Sequence, residues 1–341
     1  MRRVAHSEAV WYTDLAQPMT HSTPVALDGL NCFTTFDLDR NPEHWRDSDW
    51  VTARLADSTT RIAPLWQLKS LFGRDGEPHA WRPLLLPPDV LNGLLERAEA
   101  LVALGESRGT AYFAAGFGYD ASEPPTALAA LGRFEELRAL SAVLDPWEGA
   151  LLAYARGMVY WHRRNRFCGD CGSATVSAEG GHMRVCANPA CGQQHFPRSD
   201  PAVIVRIASG ERILLARQGR WPARMYSIVA GFVEPGESLE AAVVREVLEE
   251  TGIVLDEVRY HSSQPWPFPS SLMLGFTARA ASEVICLGDG ELEDARWFSR
   301  EDVARGLKAG TLSLPGPVSV SYRLIREWFE AGGLGPLSIS G

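Results

Sequence analysis

The sequence predicts an α+β fold, and three observations support this prediction. A β-branched run at Ala202–Ile207 is followed by a turn at Ser209-Gly210 and a returning apolar run at Ile213–Ala216. Further strand-like segments are mixed with only a few helical ones, which is typical of an α+β domain. The chain has 341 residues, 45% apolar and 22% charged, which suits about two or three globular domains.

Charge and hydropathy exclude some classes of function. The net charge of −9 creates no overall field that favours nucleic acid or anionic membranes, although a local basic patch stays possible. No apolar run reaches membrane-spanning length, and Met1-Arg2-Arg3 is not followed by the apolar core of a signal peptide. We therefore expect a cytoplasmic protein without a membrane partner.

The first half of the chain carries no recognisable chemistry, which indicates a structural or dimerisation domain. Residues 1–25 are polar and aperiodic and are predicted to be a flexible extension; residues 26–160 are predicted to be an N-terminal α+β domain. Its expected strands are Arg61–Leu65, weakened by Pro64, and Thr110–Phe113. Its expected helices are Leu91–Leu104, Phe134–Val143 and a segment from the cap Asp145, with Pro146 in the first turn, to about His162.

The second half contains clearer elements, and we expect one domain over residues 199–335. A helix bounded by glycines is predicted at about 238–251, and a closing helix at Ser319–Glu330. Beyond the first hairpin, the predicted strands are Val258–His261, Leu272–Arg279 and Ala295–Phe298.

Four of the six cysteines form a cluster within residues 161–198, and they are Cys168, Cys171, Cys186 and Cys191. The first two stand on a glycine-containing turn, and fourteen residues separate them from the second pair. In a reducing compartment this spacing is typical of a structural zinc ribbon, whose four thiolates leave no open position for a substrate. Two disulfides or four unpaired thiols are the alternative. Cys32 and Cys286 stand alone and are expected to be small buried residues.

Basic residues flank the cysteine cluster, and they are Arg163, Arg164, Arg166, Arg184 and Arg198. They could form a patch for RNA phosphates. A solvated basic face is the alternative, and the sequence leaves both open.

Three carboxylates, Glu246, Glu249 and Glu250, fall within about one turn of the predicted helix. Like charges at this spacing repel each other, so an isolated helix gains nothing from them. Mg²⁺ or Mn²⁺ would relieve the repulsion and would also bind phosphate oxygens. An acidic, solvated helix face is the alternative explanation.

The same helix has a predicted apolar side opposite the carboxylates. Ser238 is expected to cap its start, and Gly252 to supply the left-handed residue at its end. At about 100° per residue, the side expected to be apolar consists of Ala241, Val244, Val247 and Leu248.

These residues lie at the offsets of the Nudix box, G-x5-E-x7-R-E-h-x-E-E-x-G-h, where h is apolar. The matching positions are Gly231, Glu237, Arg245, Glu246, Val247, Glu249, Glu250, Gly252 and Ile253. The sequence therefore resembles the Nudix hydrolases, which hydrolyse a nucleoside diphosphate linked to another group. The resemblance implies an α/β/α sandwich with a mixed sheet, and a site for more than one Mg²⁺ or Mn²⁺ ion.

A second motif, Ser263-Gln-Pro-Trp-Pro-Phe-Pro-Ser-Ser271, alternates three prolines with aromatic residues. Proline stiffens the segment, and rigid aromatic rings suit stacking on nicotinamide or adenine; a proline-rich loop packed on the core is the alternative. The run is similar to the SQPWPFPQS signature of the NADH pyrophosphatase branch of the family, and it differs at Ser270, where that branch has Gln. The order of N-terminal domain, zinc ribbon and Nudix domain is also that of this branch.

The resemblance implies a set of site residues. It places the catalytic metal ions on Glu246, Glu250, Glu291 and the backbone carbonyl of Ala230, and we add Glu249; Glu293 is an alternative to Glu291. Arg245 is expected to orient the helix carboxylates. The implied substrate contacts are Phe196, Phe232, Gln264, Pro265, Trp266, Pro267, Phe268, Pro269, Ser270, Ser271 and Ser321. Phe196 and Ser321 stand where the family tends to have Tyr and Ala.

The implied activity is metal-dependent hydrolysis of NAD(H) to nicotinamide mononucleotide and AMP, and removal of the NAD cap from RNA to leave a 5′-monophosphate. A water deprotonated by Glu249 or Glu291 would attack one phosphorus in line. The alternatives are another dinucleotide, such as ADP-ribose or a diadenosine polyphosphate, and a zinc-ribbon nucleic-acid module with an inactive Nudix domain. The sequence does not choose between free NADH, NAD⁺ and capped RNA. Members of the family are homodimers, so we expect a homodimer.

Overall fold

The computed structural model describes residues 31–34, 37–74, 81–288 and 290–338. The extension predicted at residues 1–25 lies outside these residues. Over the described ranges, no helix combines the length and apolar character needed to cross a membrane.

The N-terminal part is built on a six-stranded mixed sheet with the order β3-β2-β1-β5-β4, in which β6 also pairs with β2. Strands β1 and β5 are parallel, and the other pairs are antiparallel. One face packs against Trp45 and the other against a long helix that contains Leu151 and Val159. The strands are β1 (Arg61–Trp66), β2 (Lys69–Arg74), β3 (Trp81–Pro83), β4 (Ala100–Ser107), β5 (Thr110–Phe117) and β6 (Arg133–Glu135).

Five helices accompany this sheet, and the longest of them confirms its predicted start. Asp145 caps it by accepting from the backbone N–H groups of Trp147 and Glu148, and it ends within two residues of the predicted His162. Because most of its residues between Gly149 and His162 are buried, it is the central helix in the core of this domain. The helices are α1 (Pro42–Arg46), α2 (Ser48–Ala56), α3 (Thr126–Ala129), α4 (Leu137–Leu140) and α5 (Pro146–Arg164).

The helix predicted at Leu91–Leu104 is wrong. Two short 3-10 turns, Pro88–Leu91 and Leu95–Arg97, precede β4 in this region, and Gly93 between them has a φ of +73°. An apolar run such as that of β4 suits a buried strand as well as a buried helix, so periodicity alone does not separate them. Pairing with β5 selects the strand.

The prediction at Phe134–Val143 is wrong in most of its length, because Arg133–Glu135 pairs with β2 and only Leu137–Leu140 is helical. The weak strand at Arg61–Leu65 is in contrast a full strand. On the edge of β1 that faces away from β5, Ile62 exchanges two backbone hydrogen bonds with Leu86. Pairing with β2 on this edge begins only at Leu65. Pro64, which has no backbone N–H, therefore lies between these two contacts, where the described residues make no hydrogen bond on this edge.

The cysteine-rich part forms a three-stranded antiparallel sheet of β7 (Thr175–Ala178), β8 (Met183–Cys186) and β9 (Gln194–His195). It is joined to α5 through the buried His162. The Nδ1 atom of His162 lies 2.8 Å from Nη1 of Arg184, and its Nε2 atom lies 2.8 Å from the Gly181 carbonyl. Because arginine only donates, Nδ1 accepts and Nε2–H donates, so the imidazole is neutral.

Burial lowers the pKa of His162 to about 4. Below about pH 6.5, His162 binds a proton in the unfolded chain but stays neutral in the folded chain. The free energy of unfolding therefore falls as the pH is lowered below about 6.5. His162→Gln keeps one donor and one acceptor but does not titrate. We expect the loss of unfolding free energy between pH 7 and pH 5 to be about 2 kcal/mol smaller in the variant, as measured by urea unfolding. An equal loss in both proteins would contradict the neutral imidazole.

The C-terminal part is an α/β/α sandwich around a mixed sheet of order β13-β14-β10-β11-β15, with β12 paired to β10, which confirms the predicted fold class. Strands β10 and β14 are parallel. Val203 and Leu214 face one core layer with α6, and Ile204 and Leu215 face the other with α7 and α8. The elements are β10 (Asp200–Ser209), β11 (Arg212–Arg217), β12 (Val229–Phe232), α6 (Leu239–Thr251), β13 (Leu255–Trp266), β14 (Ser271–Ala280), β15 (Asp294–Phe298), α7 (Arg300–Lys308) and α8 (Val320–Glu330).

The predicted ends of α6 are confirmed, but of its predicted apolar side only Val247 is buried. Ser238 accepts from the Ala241 N–H, and Gly252 has a φ of +70°. The buried side consists of Ala242, Val243, Val247, Glu250 and Thr251. Val244 and Leu248 are 43% and 50% exposed. The helix docks against β12 in an orientation that directs Ala242 and Val243 into the core instead. Cys32 and Cys286, which were expected to be buried, are both exposed.

Candidate active site and metal centres

The four cysteine thiols of the small sheet meet at one point. Their Sγ atoms all lie within 4.8 Å of one another. The distances are 3.8 Å between Cys168 and Cys191 and 3.4 Å between Cys171 and Cys186. Both exceed the roughly 2 Å bond of a disulfide, so the alternative of two disulfides does not fit. Four thiols from two turns are the donor set of a tetrahedral Zn²⁺ site.

The arginines around this cluster do not form one patch. Arg184 is buried in the His162 network, and Arg166 lies 3.2 Å from Asp120. Arg163 lies over the Tyr119 ring. Arg198 is exposed and lines a separate cavity. The patch suggested by the sequence is therefore divided, and only part of it faces solvent.

Gly231 creates the close approach on which the carboxylate site depends. A Cβ atom at Gly231 would lie 1.9 Å from Cδ of Glu246 and 2.1 and 2.2 Å from its two carboxylate oxygens. The Glu246 carboxylate therefore occupies the space that any side chain at position 231 would fill. It rests directly on β12 at Gly231, the residue after Ala230, whose carbonyl the resemblance assigns to a metal ion.

Gly231→Ala is expected to lower turnover by about 100-fold, because a displacement of roughly 1 Å in a catalytic group has an effect of this size. The added methyl group must push the Glu246 carboxylate off β12. Gly149→Ala is the matched control, because a Cβ there meets nothing within 4 Å. Steady-state kinetics on both variants test the prediction, and native turnover in Gly231→Ala would show that the position of Glu246 is unimportant.

Arg245 organises the acidic groups, as its predicted role requires. It donates to both carboxylate oxygens of Glu237, at 2.6 and 2.9 Å, and to the Phe232 carbonyl at 2.9 Å. Its Nη1 lies 3.0 Å from Glu246 and 3.1 Å from Glu249. One guanidinium thus ties the loop before α6 to two carboxylates of α6.

These contacts shift two carboxyl groups in opposite directions. The hydrogen bonds from Arg245 lower the pKa of Glu237 to about 2, so this group stays ionised. Desolvation raises the pKa of Glu246, although Arg245 opposes the shift. The neighbouring negative charges of Glu249 and Glu291 raise it further. A carboxylate that is desolvated and crowded by like charges is a group that gains from a bound cation.

Glu250 lies on the buried side of α6, at 2% exposure, and lines a cavity of about 650 Å³ together with Ala230. The cavity has the size typical of a ligand site. The predicted residues Gln264, Trp266 and Ser321 line it as well. The three carboxylates of α6 therefore do not share one face: Glu250 faces the cavity, Glu249 is mostly exposed, and Glu246 lies between them on β12.

The structure distinguishes Glu291 from Glu293. The charge of Glu291 acts on Glu246. Glu293 instead forms an ion pair with Arg217 and donates its backbone N–H to the Arg217 carbonyl. The charge effect on Glu246 and the ion pair of Glu293 with Arg217 therefore favour Glu291 over Glu293 as the further acidic group.

The carboxylates fit hard cations that keep part of their water. Among the described residues, only the four cysteines converge as a tight set of potential ligands. Mg²⁺ retains several waters and is commonly held by one or two carboxylates plus substrate phosphates. An open arrangement of Glu246, Glu249, Glu250 and Glu291 suits that mode of binding, whereas a closed cage of protein ligands does not exist here.

The proline-aromatic motif packs on the N-terminal domain. Trp266 and Phe268 are partly buried against its core, and the Phe33 ring lies 6.1 and 5.8 Å from theirs. Arg156 donates to the Pro267 carbonyl and lies over the Phe268 ring. For Phe268 the alternative of a loop packed on the core therefore holds, whereas Trp266 also lines the cavity of about 650 Å³.

The side chain of Gln264 stabilises the fold through three hydrogen bonds. Its amide donates to the Val318 carbonyl at 2.7 Å and to the Cys32 carbonyl at 3.2 Å, and its oxygen accepts from the Val320 N–H at 2.8 Å. All three partners are backbone atoms. Gln264 therefore shapes the cavity wall by fixing the start of α8, and we interpret it as a positioning residue.

The remaining predicted contacts lie at several places. Ser321 is buried and shares a 2.7 Å hydrogen bond with Ser227. Phe196 and Phe232 are exposed, at 48% and 60%. Pro265, Pro267, Ser270 and Ser271 line a second, smaller cavity, and Pro269 is exposed.

Sequence reasoning missed residues that the fold brings to the cavity of about 650 Å³. Arg138 and Ala142 reach it from the N-terminal domain, and Arg138 lies over the Trp266 ring at 5.4 Å. Gln218 and Trp221, between β11 and β12, form another wall. No local motif marks these positions, and only their place in the wall of the cavity identifies them.

Three family models match consecutive parts of the chain. The NADH pyrophosphatase-like rudimentary NUDIX domain matches residues 59–161, and the NADH pyrophosphatase zinc ribbon domain matches residues 163–196. The NUDIX domain matches residues 197–314. The matches follow each other in the order of the three sheets.

Curated relatives match a little more than half of the chain. NAD-capped RNA hydrolase NudC of Mycobacterium bovis is 43% identical over 203 residues, which are 57% of this chain and 64% of that protein. NAD-capped RNA hydrolase NUDT12 of Homo sapiens is 42% identical over 194 residues, which are 54% of this chain and 42% of that protein. The chain thus spans less than two thirds of the length of these relatives. A solved NUDIX hydrolase from Nitrosomonas europaea is 22% identical, with a TM-score of 0.40 over 51% of this chain and 96% of that one.

Proposed function

We propose, for a chain that belongs to the NADH pyrophosphatase family of Nudix hydrolases, the metal-dependent hydrolysis of the diphosphate bond of NAD(H) and of the NAD cap of RNA. The products are nicotinamide mononucleotide with AMP or with a 5′-monophosphate RNA. The observation that carries this proposal is the cavity of about 650 Å³ in which Glu250 and Ala230 meet Trp266 of the proline-aromatic motif. The names of the relatives support the substrate class.

The residues of the chain have separate tasks in this reaction. Mg²⁺ or Mn²⁺, held by Glu246, Glu249, Glu250, Glu291 and the Ala230 carbonyl, would supply positive charge to the diphosphate and acidify the attacking water. Arg245 holds Glu246 and Glu249 in place. Glu249 is exposed to water and anchored by only one of its oxygens to Arg245, so we assign it the role of general base.

Two rival functions are separated by a substrate panel. NADH, NAD⁺, NAD-capped RNA, ADP-ribose and a diadenosine polyphosphate would be compared at equal enzyme concentration. We expect the first three to have the highest kcat/KM. A clear preference for ADP-ribose or the diadenosine compound would replace the substrate class, and no hydrolysis of any compound would favour the inactive nucleic-acid module.

The hydrolytic metal is expected to be separate from the ribbon zinc. We propose one structural Zn²⁺ on Cys168, Cys171, Cys186 and Cys191, because four thiolates give closed coordination. Mild chelation should remove activity, and Mg²⁺ or Mn²⁺ should restore it while about one Zn²⁺ per chain stays bound. Metal analysis and kinetics on the same sample test this, and full activity without added Mg²⁺ or Mn²⁺ would contradict the role of the carboxylates.

We also propose a cytoplasmic homodimer with domains at residues 26–160, 161–198 and 199–335. Free thiols in the ribbon suit a reducing compartment. Exposed Phe167, Val176 and Phe196 give the small ribbon domain an apolar surface that suits a partner chain. Analytical ultracentrifugation tests the dimer, and the limits of stable fragments in proteolysis test the boundaries.

A further inference from the structure

A second cavity, of about 320 Å³, shares Trp266 with the catalytic cavity. We propose that it binds the nucleotide that follows the NAD cap in an RNA substrate. The inference rests on the proposed function, since it adds a subsite for the part of the substrate that free NADH lacks. Its volume lies near the lower end of the range for small-ligand sites, which suits a single nucleoside.

Aromatic residues line this cavity; the rings of Tyr154 and Trp266 are partly exposed, whereas Trp161 and Phe33 are buried at 6% and 4% exposure. Tyr154 and Trp161 come from α5, Trp266 from the end of β13, and Phe33 from the segment before α1. Base–aromatic stacking is tolerant of sequence, because every base has a π-face. An enzyme that accepts caps on many different RNAs needs recognition of this kind.

Two cations accompany the aromatic rings. The guanidinium carbon of Arg40 lies 3.9 Å from the Tyr154 ring centroid. Arg198 is exposed on the opposite wall, and it has no ion pair with any carboxylate in the ranges that the structure describes. Ser270 also lines the cavity, with its hydroxyl 2.6 Å from Asp200. Aromatic residues beside the positive charge of Arg198 are what a nucleotide with its phosphate requires.

Gly157 leaves the floor of the cavity open. It lies inside α5, where glycine is a poor helix former. A Cβ atom at this position would lie 3.8 Å from Cβ of Pro267, which is an ordinary van der Waals contact. A methyl group therefore fits here, whereas a longer side chain would extend into the space that we assign to the base.

The position of Trp266 links the two cavities along the substrate. Its ring forms part of both walls, and Arg138 lies over it at 5.4 Å. We place the strand on the 3′ side of the cap past Trp266, because this residue lines both cavities. The nucleotide after the cap is then the first one that can enter the second cavity.

Gly157→Leu and Gly157→Ala form a matched pair for the test. Gly157→Leu should lower kcat/KM for a short NAD-capped RNA by about tenfold, the effect of losing one base stack, and leave kcat/KM for NADH within about twofold. Gly157→Ala should leave both values native, because its methyl group fits. Equal losses on both substrates, or no loss on capped RNA, would overturn the proposal.

Arg198→Gln tests the phosphate contact through its salt dependence. The slope of log kcat/KM for capped RNA against log salt should become shallower by about 0.7, the value for one phosphate contact on a single strand. Arg97→Gln is the control, because Arg97 is an exposed arginine of the N-terminal domain away from both cavities. An unchanged slope in Arg198→Gln would remove Arg198 from the site.

Binding of a 5′-monophosphate RNA provides a readout that does not depend on hydrolysis. Fluorescence anisotropy should show about tenfold weaker binding to Gly157→Leu than to the wild type and to Gly157→Ala. This outcome would support the subsite even if the diphosphatase activity were absent. Equal binding to all three proteins would overturn the subsite even if NADH were hydrolysed.

Discussion

Glu250→Gln is expected to lower turnover of NADH by at least about a thousandfold, since the charge stabilisation that a bound cation supplies is worth several kcal/mol. Gln keeps the size and polarity of the side chain but removes the charge that would bind the cation. The same change should leave the melting temperature equal or higher when no divalent metal is present. Glu250 is 2% exposed, so its charge is costly to bury, and it also repels Glu246 one turn away.

Glu240→Gln is the matched control for this variant. Glu240 lies in the first turn of the same helix and is exposed. It should retain near-native turnover, with a slightly lower melting temperature because an acidic residue is favourable at a helix start. NADH cleavage and thermal melting would be measured on one preparation of each protein. Near-native turnover in Glu250→Gln would remove this residue from the site, and with it the main reason to interpret α6 as catalytic.

Cys168→Ser is expected to have the largest effect on stability. Loss of one thiolate should empty the zinc site, so bound Zn²⁺ falls from about one per chain to nearly none. The ribbon domain has only three short strands and a small core, so the metal supplies much of its folding free energy. We expect the melting temperature to fall by roughly 10 °C or more, and the effect on the carboxylate site to be indirect.

Cys286→Ser provides the comparison for this variant. Cys286 is an exposed lone cysteine, and its backbone N–H donates a hydrogen bond to the Thr251 carbonyl. Its replacement should change neither zinc content nor melting temperature. Metal analysis and calorimetry of both variants test the zinc assignment. A zinc-free Cys168→Ser protein with native stability would show that the four thiols have no structural role.

The sequence located the carboxylate segment and the cysteine cluster because their chemistry is local. The spacing of Cys168 and Cys171 places both on one turn, and the spacing of Glu246 and Glu250 places both on one helix. Caps are equally local, which explains why Asp145, Ser238 and Gly252 lie where their residue types predict. In each case the physical cause acts over fewer than about five residues.

Predictions failed where partners distant in the chain decide the structure. The run at Ala100–Ser107 is a strand because β5 pairs with it. The buried side of α6 is set by its contact with β12, where the missing side chain of Gly231 admits the Glu246 carboxylate. Phe268 is packed by Phe33 and Arg156, which are far from it in sequence. Periodicity carries no information about such contacts.

The sequence by itself determined the kind of chemistry, because the donor types and their offsets in the Nudix box and the cysteine cluster are enough to select hard cations and zinc. Only the tertiary structure decided which groups share a cavity. It placed Glu250 inside and Glu249 outside, paired Glu293 with Arg217, and brought Arg138 across from another domain. The physical reason is that ligand spacing is a property of one segment, whereas burial and cavity shape depend on how segments pack.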